Sequence, residues 1–203
     1  MGAKVNFRDS DVHATDAVGT IYDIGEALPR SRGSLSGFGW TTSIRDNDGT
    51  RDRDGFADAI VAGFAQQPNN GSQVTWKCPV TPGQTYDIRL GSCDAEYGLD
   101  RTYIQVKDGA TVIATLDDST ARAAGAVLDI TGALHANAAA WLSSNNSVSH
   151  TFVGSELSVV LGTGSASTGT TKLSHLEFEE AGGGGGVVKV NPAQLGINAM
   201  RIM

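Results

Sequence analysis

The feature that most restricts what this chain can fold into is the two-residue alternation of apolar and polar side chains from residue 74 onward, broken at short intervals by turn residues. Val74, Trp76, Cys78 and Val80 alternate with other residues, and Tyr86, Ile88 and Leu90 repeat the pattern after Thr81-Pro82-Gly83-Gln84-Thr85. Successive strand side chains point to opposite faces, so each run makes one dry face and one wet one. Pro-Gly suits the centre of a type II turn, and matching the dry faces pairs Val80 with Tyr86, Cys78 with Ile88 and Trp76 with Leu90 in a hairpin. Asp108-Gly109, between the alternating runs Arg101–Lys107 and Thr111–Leu116, is the strongest short hairpin signal in the chain. Further strands are expected at 126–130, 147–153, 156–161 and 171–180, the last with Leu176 and Phe178 on one face and Glu177 and Glu179 on the other.

Upstream, residues 4–7 and 19–24 read as short strands. Residues 25–73 form a long region of Gly, Ser, Asn, Asp and Arg with few regular signals, within which 57–65 is assigned to a strand. The Ala-rich segment 133–142 is the one place for a short helix. Strands at roughly 8–12-residue spacing predict an all-β fold, an antiparallel β-sandwich of the jelly-roll kind, with a long N-terminal loop region and a C-terminal arm. Residues 1–181 form that domain and Gly182 to Gly186 a glycine linker. Residues 187–203 form an arm carrying Val187, Val188, Val190, Leu195, Ile197, Met200 and Ile202. Too short to fold alone, the arm is expected to dock on its own domain or on a neighbouring subunit.

At 203 residues the chain is one large domain or one domain with an appendage. Fifteen Lys and Arg against 22 Asp and Glu give a net charge of −7, which argues against nucleic acid as a partner. An apolar fraction of 40% is too high for a disordered chain. No run reaches the roughly 18 apolar residues of a membrane span, and the first nine residues lack the apolar core of a secretory signal. Synthesis in a cytoplasm without a signal peptide is therefore expected, or secretion with the signal trimmed away. In the hairpin register Cys93 falls about five residues from Cys78 and on the other face, at ~3.3 Å per residue too far for a disulfide. Two separate thiols are expected.

No nucleophile elbow, zinc-helix motif, phosphate loop or dinucleotide fingerprint is present, and His13, His135, His150 and His175 lack metal-ligand spacing. A non-enzymatic role is expected, with no cofactor. The run Asp46 to Gly55 looks like a calcium loop but lacks the order of an EF-hand. Asp46, Asp48, Asp52 and Asp54 remain candidates for an irregular structural calcium site, set against a ladder of these acids with Arg45, Arg51 and Arg53. Sugar sites use flat aromatic faces flanked by a few oriented polar groups. Trp40, with Asp94, Glu96 and Tyr97 after the hairpin, is the candidate for such a site at one end of a sandwich. The competing role for Trp40 is to anchor its loop on the core.

Several pieces resemble a known family in order and spacing. They are Gly37-Phe38-Gly39-Trp40, Arg51-Asp52-Arg53-Asp54, the run Trp76 to Leu90 leading to Gly91-Ser92-Cys93-Asp94, Gly154 to Gly162, and Lys172 to Phe178. Together they resemble the galactose-binding-like and malectin-like jelly rolls that accompany polysaccharide-acting bacterial enzymes, over roughly residues 18–180. There a "GYGW" element, an Asp-Arg pair, a "Pro-Gly-x-Tyr" hairpin and a "Gly-Asp-Ala" turn recur. Ser92-Cys93-Asp94-Ala95 replaces the simpler turn, and the apolar arm has no counterpart. The resemblance implies a jelly roll related to carbohydrate-binding modules, with Arg51 and Asp52 as buried structural partners.

Two functions follow. The first is a structural component of a large assembly, a bacteriophage virion protein such as a capsid decoration or tail accessory, since an acidic, Gly-rich, leaderless β protein with an apolar arm fits one. Its partners would be neighbouring subunits, with surface glycans in addition and no membrane. The alternative is a carbohydrate-binding module recognising a polysaccharide through an aromatic site.

Overall fold

A computed structural model describes residues 2–7, 20–32, 35–44, 50–52, 63–67, 72–98, 102–162 and 171–182. Its strands are β1 (Ala3–Phe7), β2 (Thr20–Asp23), β3 (Arg30–Arg32), β4 (Leu35–Trp40), β5 (Thr50–Asp52), β6 (Gly63–Gln66), β7 (Val74–Pro79) and β8 (Thr85–Ser92). They continue as β9 (Thr102–Asp108), β10 (Thr111–Asp118), β11 (Val127–Asp129), β12 (Leu134–His135), β13 (Val148–Thr151), β14 (Glu156–Leu161), β15 (Lys172–Leu173) and β16 (His175–Glu180). One helix, α1 (Ala138–Ser143), lies inside the Ala-rich segment.

One sheet runs in the order β12-β11-β8-β16-β1-β2, with β13 on the remaining length of β8; the second runs β10-β9-β14-β7-β4-β3. A small third sheet, β15-β6-β5, packs beside β1 and β8 of the first. Apart from the parallel β1–β2 pair, the pairings between these strands are antiparallel. The inner faces meet in one core, to which β8 brings Tyr86, Ile88 and Leu90, β16 Leu176 and Phe178, β7 Trp76 and Cys78, and β14 Leu157 and Val159. Burying side chains of this size contributes about 1.5–3 kcal/mol each. The chain is the expected all-β sandwich.

The region 25–73 departs from its loop assignment, because β3, β4, β5 and β6 lie within it. These strands are only three to six residues long, and the longest, β4, is interrupted by Gly37 and Gly39, so they carry almost no alternation to read. The strand at 57–65 is met only by β6 at its end, and 57–62 lie outside the described residues.

The segment 74–90 corrects the hairpin. β7 pairs with β14 and β4, whereas β8 pairs with β16, β11 and β13, so the two strands sit in opposite sheets. The turn itself forms, with Gln84 N–H donating to the Thr81 carbonyl at 3.2 Å and Gly83 at φ 80°, the position a type II turn reserves for glycine. Its edges are taken by the 152–155 segment, where Gly83 N–H donates to Phe152 O at 2.7 Å and Val80 N–H to Ser155 O at 3.0 Å. Two strands joined by a turn show the same alternation whether they lie side by side or face each other across a core. The Asp108-Gly109 hairpin forms as expected, β9 against β10 from Asp108↔Thr111 to Thr102↔Asp118. Cys78 and Cys93 are buried free thiols.

Candidate functional site

The β8 strand ends at Ser92 and runs into a turn built around one carboxylate. Asp94 is 1% exposed; its Oδ1 accepts from Glu96 N–H at 3.0 Å and Tyr97 N–H at 3.3 Å, and its Oδ2 pairs with the ammonium of Lys172 on β15. The Lys172 ammonium also lies 4.6 Å from the centre of the Phe64 ring. A carboxylate that accepts two successive backbone N–H groups locks an Asx-type turn, and the buried charge is compensated by the lysine. The Asp94 carbonyl in turn accepts Gly125 N–H at 2.8 Å, which ties the 122–126 segment to the turn. Gly98 has no room for a side chain, since a Cβ there would run into the Arg122 carbonyl oxygen. The product is a fixed platform from which Glu96 and Tyr97 project, Tyr97 with 56% of its surface exposed.

The four residues expected at a sugar site are thus divided. Glu96 and Tyr97 are exposed neighbours, and Asp94 supports them from below without facing solvent. Trp40 is corrected to a core residue. It is 0% exposed, its indole N–H donates to Asp23 Oδ1 at 2.9 Å, and its ring packs edge-on against Phe7 at 5.8 Å. The odd spacing of glycines before it hid the fact that Phe38 and Trp40 share the inward face of β4.

Asp46, Asp48 and Asp54 lie outside the described residues, as do the Asp52 side chain and the arm residues from Val187 to Ile202. His13 lies outside them too. The other histidines each serve a local network. His135 Nε2 is 2.7 Å from Asp129 Oδ2, and His150 Nε2 is 3.1 Å from Asp108 Oδ2. His175 stands between Asn6 and Glu177 on the outer face of β16.

That outer face is closed. Asn137 caps α1 by accepting Ala140 N–H at 2.9 Å, and Trp141 packs its indole over β8 with its N–H on the Leu90 carbonyl at 3.3 Å. Arg89 lies 4.4 Å from the Trp141 ring centre and donates to the carbonyls of Trp141 and Ser144 at 2.9 and 3.0 Å, satisfying the helix C-terminus. Arg89 and Lys4 also pair with Glu177 at 3.1 and 3.3 Å. Burial pushes the Glu177 carboxyl up, but the His175 hydrogen bond and the His175, Lys4 and Arg89 charges outweigh it and bring it to about 2. The network is structural: Arg89, His175 and Glu177 lie within the fold, and Lys4 covers them from the solvent side.

Strand direction places the Tyr97 turn relative to the rest. Asn6 at the end of β1 and His175 at the start of β16 lie beside each other, and His175 pairs with Gly91, next to the turn. Ala3 and Phe178 pair toward the other end, where Glu180 meets Tyr86. The chain therefore enters β1 and leaves β16 at the pole opposite Tyr97.

No protein-family model matches the sequence, and no curated protein sequence matches it. Solved structures do match in shape. The Bacillus subtilis protein YxiM superposes with a TM-score of 0.51 at 12% identity, over 89% of this chain and 40% of its own. The plant receptor-like kinase ANX2 superposes with a TM-score of 0.53 at 12% identity, over 88% of this chain and 47% of its own. At 12% identity these matches show a shared fold, consistent with the jelly roll that the resemblance implies. The chain spans less than half of either neighbour. Nothing in these comparisons points to a virion protein or to capsid decoration.

Proposed function

We propose that this chain is a non-catalytic carbohydrate-binding module that holds a glycan against Tyr97 at one pole of the jelly roll. The observation that carries the reading is the rigidity of an exposed aromatic. Tyr97 projects from a turn whose backbone is fixed by a buried, lysine-paired Asp94, so little freedom is lost when a sugar face stacks on the ring. Glu96 beside it supplies an acceptor for sugar hydroxyls. The resemblance to carbohydrate-binding jelly rolls supports the same reading, and so does the position of Tyr97 at the pole opposite the start of β1 and the end of β16. No residue is assigned a catalytic role.

The test is a glycan array probed with the purified chain and with Tyr97→Ala. The expected result is binding to a defined set of glycans, at least tenfold weaker in Tyr97→Ala at an unchanged melting temperature. A wild-type chain that binds no glycan, or a variant that binds as well as the parent, would end the proposal.

A further inference from the structure

One sheet edge lies open beside the point where the chain leaves β16. Among the described residues β13 pairs with β8 alone, from Val148↔Ile88 to Thr151↔Thr85. Phe152 N–H donates to Gln84 O at 3.1 Å, and in an antiparallel pair the bonds come from alternate residues. His150 and Val148 therefore turn their backbone groups toward β8, whereas Ser149 and Thr151 point theirs away. The inner side of this edge is apolar. Val148, with Ile113 and Ala114 of the nearby β10, packs half-buried against the core, and the His150 ring lies edge-on to Phe152 at 5.0 Å. The outer side is acidic. The Ser149 hydroxyl donates to Asp87, and Asp87 stands opposite Glu179, which has the Lys4 ammonium at 3.9 Å.

One segment of the sequence fits this edge. Val187-Val188-Lys189-Val190 favours a strand, and Asn191-Pro192 ends it, since proline has no N–H for a ladder. Its length equals the four residues of β13. Ala181 N–H donates to Thr85 O at 2.9 Å, and Thr85 is the partner of Thr151. From Ala181 the free side of β13 is three strand spacings away, about 14 Å. Gly182 to Gly186 can set Val187 up to about 20 Å from Ala181. Among the described residues β2 and β10 are also edge strands. A chain turning back from the end of β16 would run parallel to both of them and antiparallel to β13, the better pairing per residue.

We infer that residues 187–190 dock on the free edge of β13 as an added antiparallel strand, with Val187 opposite Thr151 and Lys189 opposite Ser149. Val188 and Val190 then cover the apolar inner side beside His150 and Val148, and Lys189 lies on the outer side, one strand from Asp87. A slip of one residue would turn Lys189 onto the core. The added strand gives partners to the outward backbone groups of Ser149 and Thr151 and closes an edge that invites pairing between copies. A five-glycine leash holds the arm at high effective concentration near its own domain, which favours that edge over a neighbour's. This docking lies at the pole opposite Tyr97 and does not depend on the glycan reading.

The experiment oxidises the full chain carrying Ser149→Cys with Lys189→Cys, beside a second variant carrying Ser149→Cys with Val190→Cys, whose thiols would face opposite sides. Cys78 and Cys93 are buried and stay out of the reaction. The expected result is a disulfide within one chain, forming at least tenfold faster in the first variant than in the second. Amide hydrogen exchange supplies a measurement without new thiols. The Ser149 and Thr151 N–H groups should exchange at least tenfold more slowly in the parent than in Val188→Asp/Val190→Asp, with β9 and β14 protected equally in both. Absence of the disulfide, or equal rates in the two cysteine variants, overturns the inference. A disulfide between two chains overturns it too and assigns the edge to a neighbour's arm. Equal exchange of Ser149 and Thr151 in the parent and the aspartate variant overturns it as well.

Discussion

Trp40 and Trp76, neighbours across β4 and β7, donate their indole N–H groups to the two oxygens of one buried carboxylate, Asp23, at 2.9 and 2.8 Å. Gly25 N–H adds a third donor at 2.8 Å. This single side chain from β2 satisfies both large polar edges in the aromatic core, where Phe7 packs edge-on against both indoles. Asp23→Asn puts an amide N–H₂ against one of the indole donors, and Asp23→Ala strands both. Both variants should lower stability by about 2–4 kcal/mol, read as a shift of the urea midpoint with both indoles as fluorescence reporters. An Asp23→Asn variant as stable as the parent would show that the carboxylate is dispensable.

Stability should fall steeply in acid. Burial pushes the Asp129 carboxyl up, but hydrogen bonds from His135, Asn146, Thr131 and Ala133 bring it down from 3.8 to about 2. Glu177 falls from 4.5 to about 2, and Asp108 lies below 3.8 because hydrogen bonds from Val153, His150 and Gly154 outweigh its burial. Groups with lowered values contribute stability above their unfolded values and lose it as the pH falls through their folded ones. Asp23 has the opposite sign. Burial raises it above 3.8, so folding opposes its ionisation and some stability returns as it protonates. The sum should be a loss concentrated between about pH 4 and pH 2, measured as urea midpoint against pH. Glu177→Gln should flatten that limb, and a limb of unchanged steepness would remove Glu177 from the account.

The Asp94 turn separates shape from charge. Asp94→Asn keeps an oxygen for the Glu96 and Tyr97 N–H groups and gives up only the Lys172 pair, whereas Asp94→Ala loses all three. We expect Asp94→Ala to cost about 1–3 kcal/mol and to weaken glycan binding, and Asp94→Asn to retain most of the binding. Melting curves and the glycan array read the two effects separately. Equal binding by Asp94→Ala and the parent would show that the turn does not position Tyr97.

Trp141 should be worth more than a six-residue helix suggests. Removing it uncovers Cys93, Ala95 and Val127 and leaves Arg89 without its ring. Trp141→Ala should cost about 3–5 kcal/mol, read from the denaturation midpoint, and a cost below 1 kcal/mol would mean that the helix is peripheral.

How much of this was legible in the residues differs from place to place. Alternation in β7, β8, β9, β14 and β16 identified the inward face of each strand, because a period of two is preserved wherever one face is buried. Alternation does not say which strand lies beside which, so the Pro82-Gly83 turn was assigned to a hairpin when it crosses between sheets. Trp40 could not be assigned to a strand face because Gly37 and Gly39 around it have no side chains to show a period, which left its sugar-site and core-anchor roles both open; its burial decides for the core. Asp94, Glu96 and Tyr97 were found as a group from residue type alone, without the division of labour between the buried carboxylate and the exposed ring. Arg122 gave no signal. A single arginine among Ala, Ser, Thr and Gly has no pattern around it, and only the fold reveals that it is buried against the Thr102 hydroxyl.

The neighbouring strands β1 and β16 also decide how the domain carries force. Their antiparallel register from Ala3↔Phe178 to Asn6↔His175 begins at the pole where the chain enters and leaves. Their hydrogen bonds run across the strands, so tension between the two ends peels β1 from β16 one bond at a time. Tension between a bound polymer at Tyr97 and the trailing end of the chain instead runs lengthwise through β8 and β16, whose six paired positions from His175↔Gly91 to Glu180↔Tyr86 are loaded together in shear. A tether held in that direction should resist a pull that would unzip the same domain from its two ends.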